Sequence, residues 1–495
     1  MEFGTVKRLE FFKCFWTGAV RRKLPLFHIY ACLLLVLPVV GKRYLPMVDL
    51  PGHLAIVRVL DRYFGGEFRY LLQLNTDAMY KPMYYVLLGL FEAVPIDAVS
   101  WVFVSLNVIS FYAIFYYALG ALTTWSSLPK VLCSFAMAQL MYTSSLWWGL
   151  LNYVSATALV LLTFVFFLKY LERPCWQRAK LFLAVSLVAH ITHPLPTVFL
   201  GVGVASLLVA YALTLVLKAR HPHFRKEVLA NLSQFLPVVL WPLLLVATHW
   251  LSLKSNTSVS SRSLRETLWQ PFHGAGEAYD YLWTFFNIQD QLPLLERTHF
   301  PVNSAVLLAS ALILALIGAA VWRFKPANPK HSLEQMNLTY PLGLLTLGTA
   351  ALFLRHDLFQ IMGPGVLWYE VRGTFVFAFF LGLLSLLTLH QLIPTGRFGK
   401  NWVLGMAIMM AAIGLHRTNR VAVQMEKFDE LTSAYFATNN WSPVYRGHLR
   451  ISLLDHIDRY ECFYDNRCDD QSQFFYHKHP NTTIYPLGLS WENSE

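Results

Sequence analysis

Long apolar runs alternate with short basic loops along this chain. The first run extends from Leu26 to Val40. Others cover Trp101–Leu122, Val131–Tyr142, Tyr153–Leu168, Leu181–Ala189, Val198–Leu217, Phe235–Leu251, Val302–Trp322, Tyr340–Leu354, Phe375–Leu389 and Trp402–Leu415. Crossing a bilayer takes about 20 apolar residues, so the pattern predicts about eleven spans. Between the first and second runs, residues 41–99 read differently. Leu54–Phe64 and Tyr84–Val94 mix apolar and polar positions, which suits amphipathic helices lying along the membrane interface. The expected fold class is an all-α polytopic membrane protein.

Charge assigns the sides. Arg21, Arg22 and Lys23 precede the first run. Lys130, the group Lys169, Arg173, Arg178 and Lys180, the group Lys218, Arg220, Arg225 and Lys226, then Arg323, Lys325 and Lys330, and finally Arg397 and Lys400, fall on that same side when the runs alternate. Short basic loops stay cytoplasmic. The N-terminus is therefore expected in the cytoplasm, with residues 41–99, the loop of residues 254–299 and the tail from His416 outside. A cysteine introduced at Asp280 should be labelled from the external face, and labelling only from the cytoplasm would overturn this topology.

Composition narrows the class. The chain is 56% hydrophobic and 14% charged, whereas soluble domains carry roughly 25% charged residues. The net charge of +11 follows from the basic loops and does not indicate nucleic acid as a partner. Val6–Lys23 is basic and mixed, and no small-residue cleavage site follows the first run, so no cleavable signal is expected. Met1-Glu2-Phe3-Gly4-Thr5 reads like the translation of two adjoining restriction sites and is set aside.

Cys14, Cys32, Cys133 and Cys175 lie in or near apolar or cytoplasmic segments, where free thiols are ordinary. Cys462 and Cys468 sit close together in the polar tail, on the side expected to be oxidising. They are expected to form a disulfide. Intact mass after alkylation tests this, and two freely alkylated thiols would rule the bridge out. The chain thus divides into a membrane domain, residues 1–415, and a small external C-terminal domain, residues 416–495.

The alternation gathers polar residues at the external ends of the runs. Asp49, His53, Lys81, Asn152, His190, His193, His356, Asp357, Tyr369, Glu370 and Arg372 all fall there. Polar groups at a membrane face are costly and commonly functional. Pro51 favours a helix start, and Asp49 just ahead of it can act as a general base or as a helix cap. His190 and His193 have the spacing of one helical face, which fits a metal, a substrate contact or a hydrogen-bonded helix end. Trp147-Trp148-Gly149-Leu150-Leu151-Asn152-Tyr153 forms an aromatic turn, either an interfacial belt or a sugar platform. Arg372 can snorkel to the interface or bind a phosphate through its forked guanidinium. The chain has no Walker loop, dinucleotide fingerprint, paired-cysteine zinc pattern or nucleophile elbow. ATP hydrolysis and serine-hydrolase chemistry therefore have no support.

Val48-Asp49-Leu50-Pro51-Gly52-His53, followed by Tyr80-Lys81-Pro82-Met83-Tyr84-Tyr85, resembles the first external loop of the GT-C membrane glycosyltransferases. Lipid-carrier-dependent mannosyltransferases and aminoarabinose transferases belong to that superfamily. Its pattern places an acid at the start of an amphipathic helix after the first span, and a Lys-Pro-x-x-Tyr-Tyr type stretch before the second. The match covers roughly the first hundred residues. Many members carry two acids at the first position. Here Asp49-Leu50 supplies one, so no cofactor is specified and a divalent metal stays open.

The resemblance implies transfer of a hexosyl or pentosyl group from a polyprenyl- or dolichyl-phosphate donor to a glycan, lipid or protein acceptor. Inversion at the anomeric carbon is expected, with Asp49 as base. The resemblance also places Lys81 at the lipid phosphate and Tyr85 at the substrate. Side and charge suggest Arg372 beside that phosphate, with His53, Asn152, His190, His193 and Glu370 contacting donor or acceptor. The active face would be periplasmic or in the ER lumen. Asn256, Asn440 and Asn481 head external Asn-x-Ser/Thr triplets that suit a lumen. A transporter or flippase of lipid-linked sugars is the alternative. It would place its polar groups within spans near the midplane rather than along one face. A membrane O-acyltransferase is disfavoured, since no single histidine stands isolated within a span.

Overall fold

A computed structural model describes residues 24–47, 50–66, 81–142, 151–172, 175–194 and 397–438, with isolated positions among residues 146–149, 196–201 and 382–390. Among the described residues the chain is helical, and no strand occurs. The elements are α1 (Leu24–Val36), α2 (Leu50–Phe64), α3 (Lys81–Ala93), α4 (Ile96–Leu122), α5 (Ser127–Ala138), α6 (Leu151–Glu172), α7 (Trp176–Thr192) and α8 (Arg397–Thr438). A single 3-10 turn, Gln139–Met141, extends α5. The runs Phe235–Leu251, Val302–Trp322 and Tyr340–Leu354 lie outside the described residues.

Two helices, α4 and the Leu151–Tyr170 part of α6, are long and apolar enough to cross a membrane. At 1.5 Å per residue each is long enough for the roughly 30 Å of a hydrocarbon core. Helix α1 is shorter than the apolar run that encodes it. Pro38 disfavours helical backbone at the residue before it, and the chain leaves the helix through turns that end at Gly41, φ +75°.

The helices alternate in direction. At one end of the bundle Arg43 pairs with Asp97 at 3.2 Å, and the Ser100 hydroxyl donates to the Arg43 carbonyl. Toward the other end His28 shares a 2.7 Å hydrogen bond with Tyr112 and sets its ring edge-on to Tyr116. Helices α1 and α4 are therefore antiparallel. Helices α6 and α7 form a hairpin closed by Arg178, which donates to the Lys169 carbonyl, and by the tilted rings of Phe167 and Phe182. Helices α4 and α6 run parallel: Ser155 bonds to Asn107, and farther along Lys169 donates to the Tyr117 hydroxyl. Phe111, Phe115, Tyr153, Phe164 and Phe182 fill the core between these helices. Lys169 also covers the Tyr117 ring, keeping its ammonium at the rim while its stem packs inward.

Helix α8 continues without a break through Leu415 and His416, the junction at which the apolar run gives way to polar sequence. Its polar half remains amphipathic. Thr418, Val421, Met425, Phe428 and Thr432 are buried at alternating three- and four-residue spacing, one stripe of a helix. Upstream, Gly414 lies against α5. A Cβ there would sit 3.2 Å from both Phe135 and Gln139, so glycine permits the close approach of the two helices.

Candidate functional site

The two halves of the Asp49/Lys81 pattern meet in space. Helix α2 begins at Leu50, immediately after position 49, and holds Pro51 in its first turn, where the missing amide hydrogen costs nothing. Asp49 itself lies outside the described residues. One turn into α2, half-buried His53 is hydrogen-bonded through Nδ1 to the Tyr84 hydroxyl at 2.7 Å, with donor and acceptor set by the imidazole tautomer. The two rings also meet edge to face. Tyr84 is wholly buried, whereas Tyr85 is 52% exposed. Adjacent tyrosines on a helix point about 100° apart, so one anchors α3 and the other faces outward. Lys81 opens α3, and its side chain lies outside the described positions.

Helix α3 packs on α2, α4 and α7. Helix α7 ends beside the two histidines. His190 is buried and shares a 3.0 Å hydrogen bond with Thr197, itself buried. His193 does not continue the helical face that its spacing suggests. Its backbone is extended (φ −161°, ψ 124°), and its ring lies edge-on to buried Tyr153 at 5.3 Å. Pro194 explains the departure, because the residue before a proline is driven from helical to extended backbone. The two imidazoles therefore have separate partners. Among the described residues no three His, Cys, Asp or Glu side chains converge as metal ligands would. Asn152 sits in the first turn of α6 and accepts from the Tyr153 amide at 3.0 Å. The turn before it depends on Gly149, φ +77°. Cys32, Cys133 and Cys175 are free thiols. Glu370, Arg372, Trp147, Trp148, Cys14, Cys462 and Cys468 lie outside the described residues.

Residues 42–44, which lead toward position 49, are gripped by the polar half of α8. Lys42 pairs with Glu426, and the Tyr44 amide donates to Asp429 Oδ1 at 2.7 Å. Burial holds the Asp429 carboxyl above its ordinary value, and the Tyr44 amide and the Lys42 charge offset only part of that rise. Tyr84, Tyr153, Thr197, Glu426 and Asp429 were not singled out from the sequence. Tyr84 carried a signal as part of the Lys-Pro-Met-Tyr-Tyr stretch, and Tyr153 as the last residue of the aromatic turn. No protein-family model matches the chain, and no curated protein matches it.

Proposed function

We propose that this protein is a membrane-embedded glycosyltransferase of the GT-C type. The observation that carries the reading is the His53–Tyr84 hydrogen bond. It joins the helix opened just after Asp49 to the helix that starts with Lys81-Pro82, the two stretches on which the resemblance rests. Embedding in a bilayer is supported by the two long apolar helices. A further support is the exposed stripe Leu26, Ile29, Tyr30 and Leu33 along α1, with a second on α8 formed by Trp402, Met409 and Ile413. Apolar surface of that extent calls for lipid or a partner. The eleven-span topology with an external active face belongs to the same reading.

In the proposed reaction Asp49 takes the proton of an acceptor hydroxyl. The freed oxygen attacks the anomeric carbon from the side opposite the phosphate. The carbon–oxygen bond to the lipid phosphate breaks, and the electron pair leaves with that phosphate, inverting the sugar. Lys81 and Arg372 stabilise the developing charge, as fixed cations do best where water is excluded. His53, held by Tyr84, and His190 and His193 orient the sugar and the acceptor.

The test is turnover by the purified full-length protein against a panel of polyprenyl-phosphate sugars. Release of polyprenyl phosphate coupled to inverted product is expected for at least one sugar. Binding of a lipid-linked sugar without transfer of any would sink the reading and leave a carrier.

A further inference from the structure

Buried polar atoms without partners meet in the seam where α8 passes the end of α5. Gln139 is 3% exposed, and neither its amide oxygen nor its amide nitrogen has a hydrogen-bond partner. Arg417 donates through Nη2 to the Tyr142 carbonyl at 2.7 Å, while its Nε is buried without a partner. Among the described residues no carboxylate pairs with this guanidinium. The two side chains flank the same seam. Gly414, one turn before Arg417, approaches Gln139 Cγ, and Tyr142, which receives the Arg417 bond, closes its own turn onto the Gln139 carbonyl at 3.1 Å.

Burying a cation without a counter-charge is costly, and so is burying an amide with nothing to bond. Burial lowers the Arg417 pKa to about 10, which leaves the group charged at neutral pH. A charged guanidinium, an idle N–H and an idle amide in one seam are the complement of an oxyanion. Guanidinium suits such groups through charge-assisted hydrogen bonds. Ile413, one turn before Arg417 on the same side of α8, is exposed and offers an apolar contact for a chain attached to the anion.

We propose that Arg417 and Gln139 form a phosphate-binding site between the end of α5 and the middle of α8. The oxyanion follows from the unpaired groups. The choice of phosphate among oxyanions rests on the sugar-transfer reading. The Arg417 Nε and the Gln139 amide nitrogen donate to phosphate oxygens, and the amide oxygen accepts from a hydroxyl beside the phosphate. The ligand is a lipid phosphate or free phosphate, with the same contacts.

Thermal unfolding of the full-length protein in a maltoside detergent tests the site, with polyprenyl phosphate, polyprenol and inorganic phosphate as probes. Polyprenyl phosphate should raise the wild-type Tm by several degrees through ligand linkage, and polyprenol should not. A matching rise with millimolar inorganic phosphate assigns the site to the free ion, and a rise with the lipid alone assigns it to the lipid. Arg417→Gln should shrink the shift, leaving only what binding of the same lipid at Lys81 and Arg372 contributes. Gln139→Leu guards against a folding defect in that variant. It removes two idle polar atoms, so its ligand-free Tm should rise while its affinity falls about tenfold, the loss of one good hydrogen bond. No shift with either phosphate probe, or equal affinity in wild type and Gln139→Leu, overturns the site. Turnover that persists without Gln139-dependent binding overturns the site and leaves the sugar-transfer reading standing. Gln139-dependent binding without turnover of any sugar does the reverse.

Discussion

Asp49→Asn should nearly abolish sugar transfer while leaving donor binding largely intact. The substitution keeps the size of the side chain and much of its hydrogen bonding but removes the base. Loss of a general base typically lowers rate by about 10² to 10⁴. The competing role for Asp49 is to cap α2, which starts at the next residue. Asparagine caps a helix about as well as aspartate, so a capping role predicts a folded variant with near-normal turnover. Single-turnover kinetics on protein of verified thermal stability separate the two. Near-wild-type transfer would remove Asp49 from the mechanism. Lys81→Ala and Arg372→Ala should differ in kind, weakening donor binding and transfer together, because each removes a cation from the leaving phosphate.

Tyr84→Phe should have the next largest effect. The ring stays, so packing within α3 is preserved, but the hydroxyl that holds His53 is lost. Removing one partner of a buried hydrogen bond costs about 1–3 kcal/mol. If that cost falls on the orientation of His53 in the reacting complex, kcat/KM drops roughly 5- to 150-fold. Tyr85→Phe is the internal contrast. Its ring is half exposed, so thermal stability should not move, and any change should appear in KM for the sugar donor. Wild-type turnover in Tyr84→Phe would show that the link between α2 and α3 is structural only.

These expectations draw unequally on sequence and structure. Helices α4 and α6 were legible because their apolar runs are long enough to set their position, although α4 starts at Ile96, five residues before its run. The start of α2 was legible from Pro51. Two helix ends were not. Helix α7 begins at Trp176, five residues before the apolar run, because Gln177, Arg178 and Lys180 favour helix without being apolar. Helix α8 continues past Leu415 because Val421, Met425 and Phe428 recur at helical spacing, a period rather than a run. The departure of His193 from the helix could have been read from Pro194. The pairings that build the site could not. His53 and Tyr84 are 31 residues apart, and Arg417 and Tyr142 are 275 apart. Pairings of that kind depend on how the helices pack, which local pattern does not encode.

The grip of α8 on residues 42–44 bears on how the protein is made. Tyr44 and Asp429 are 385 residues apart. At about 5–20 residues per second of synthesis, roughly 20 to 80 s pass between the emergence of one and of the other. For most of that interval residue 43 has Asp97 and Ser100 to hold it, but residues 42 and 44 have neither Glu426 nor Asp429. Fastening therefore waits until synthesis reaches the polar half of α8, which closes over a segment made 385 residues earlier. A nascent chain halted before Glu426 would carry the Asp49 region in place but unlatched.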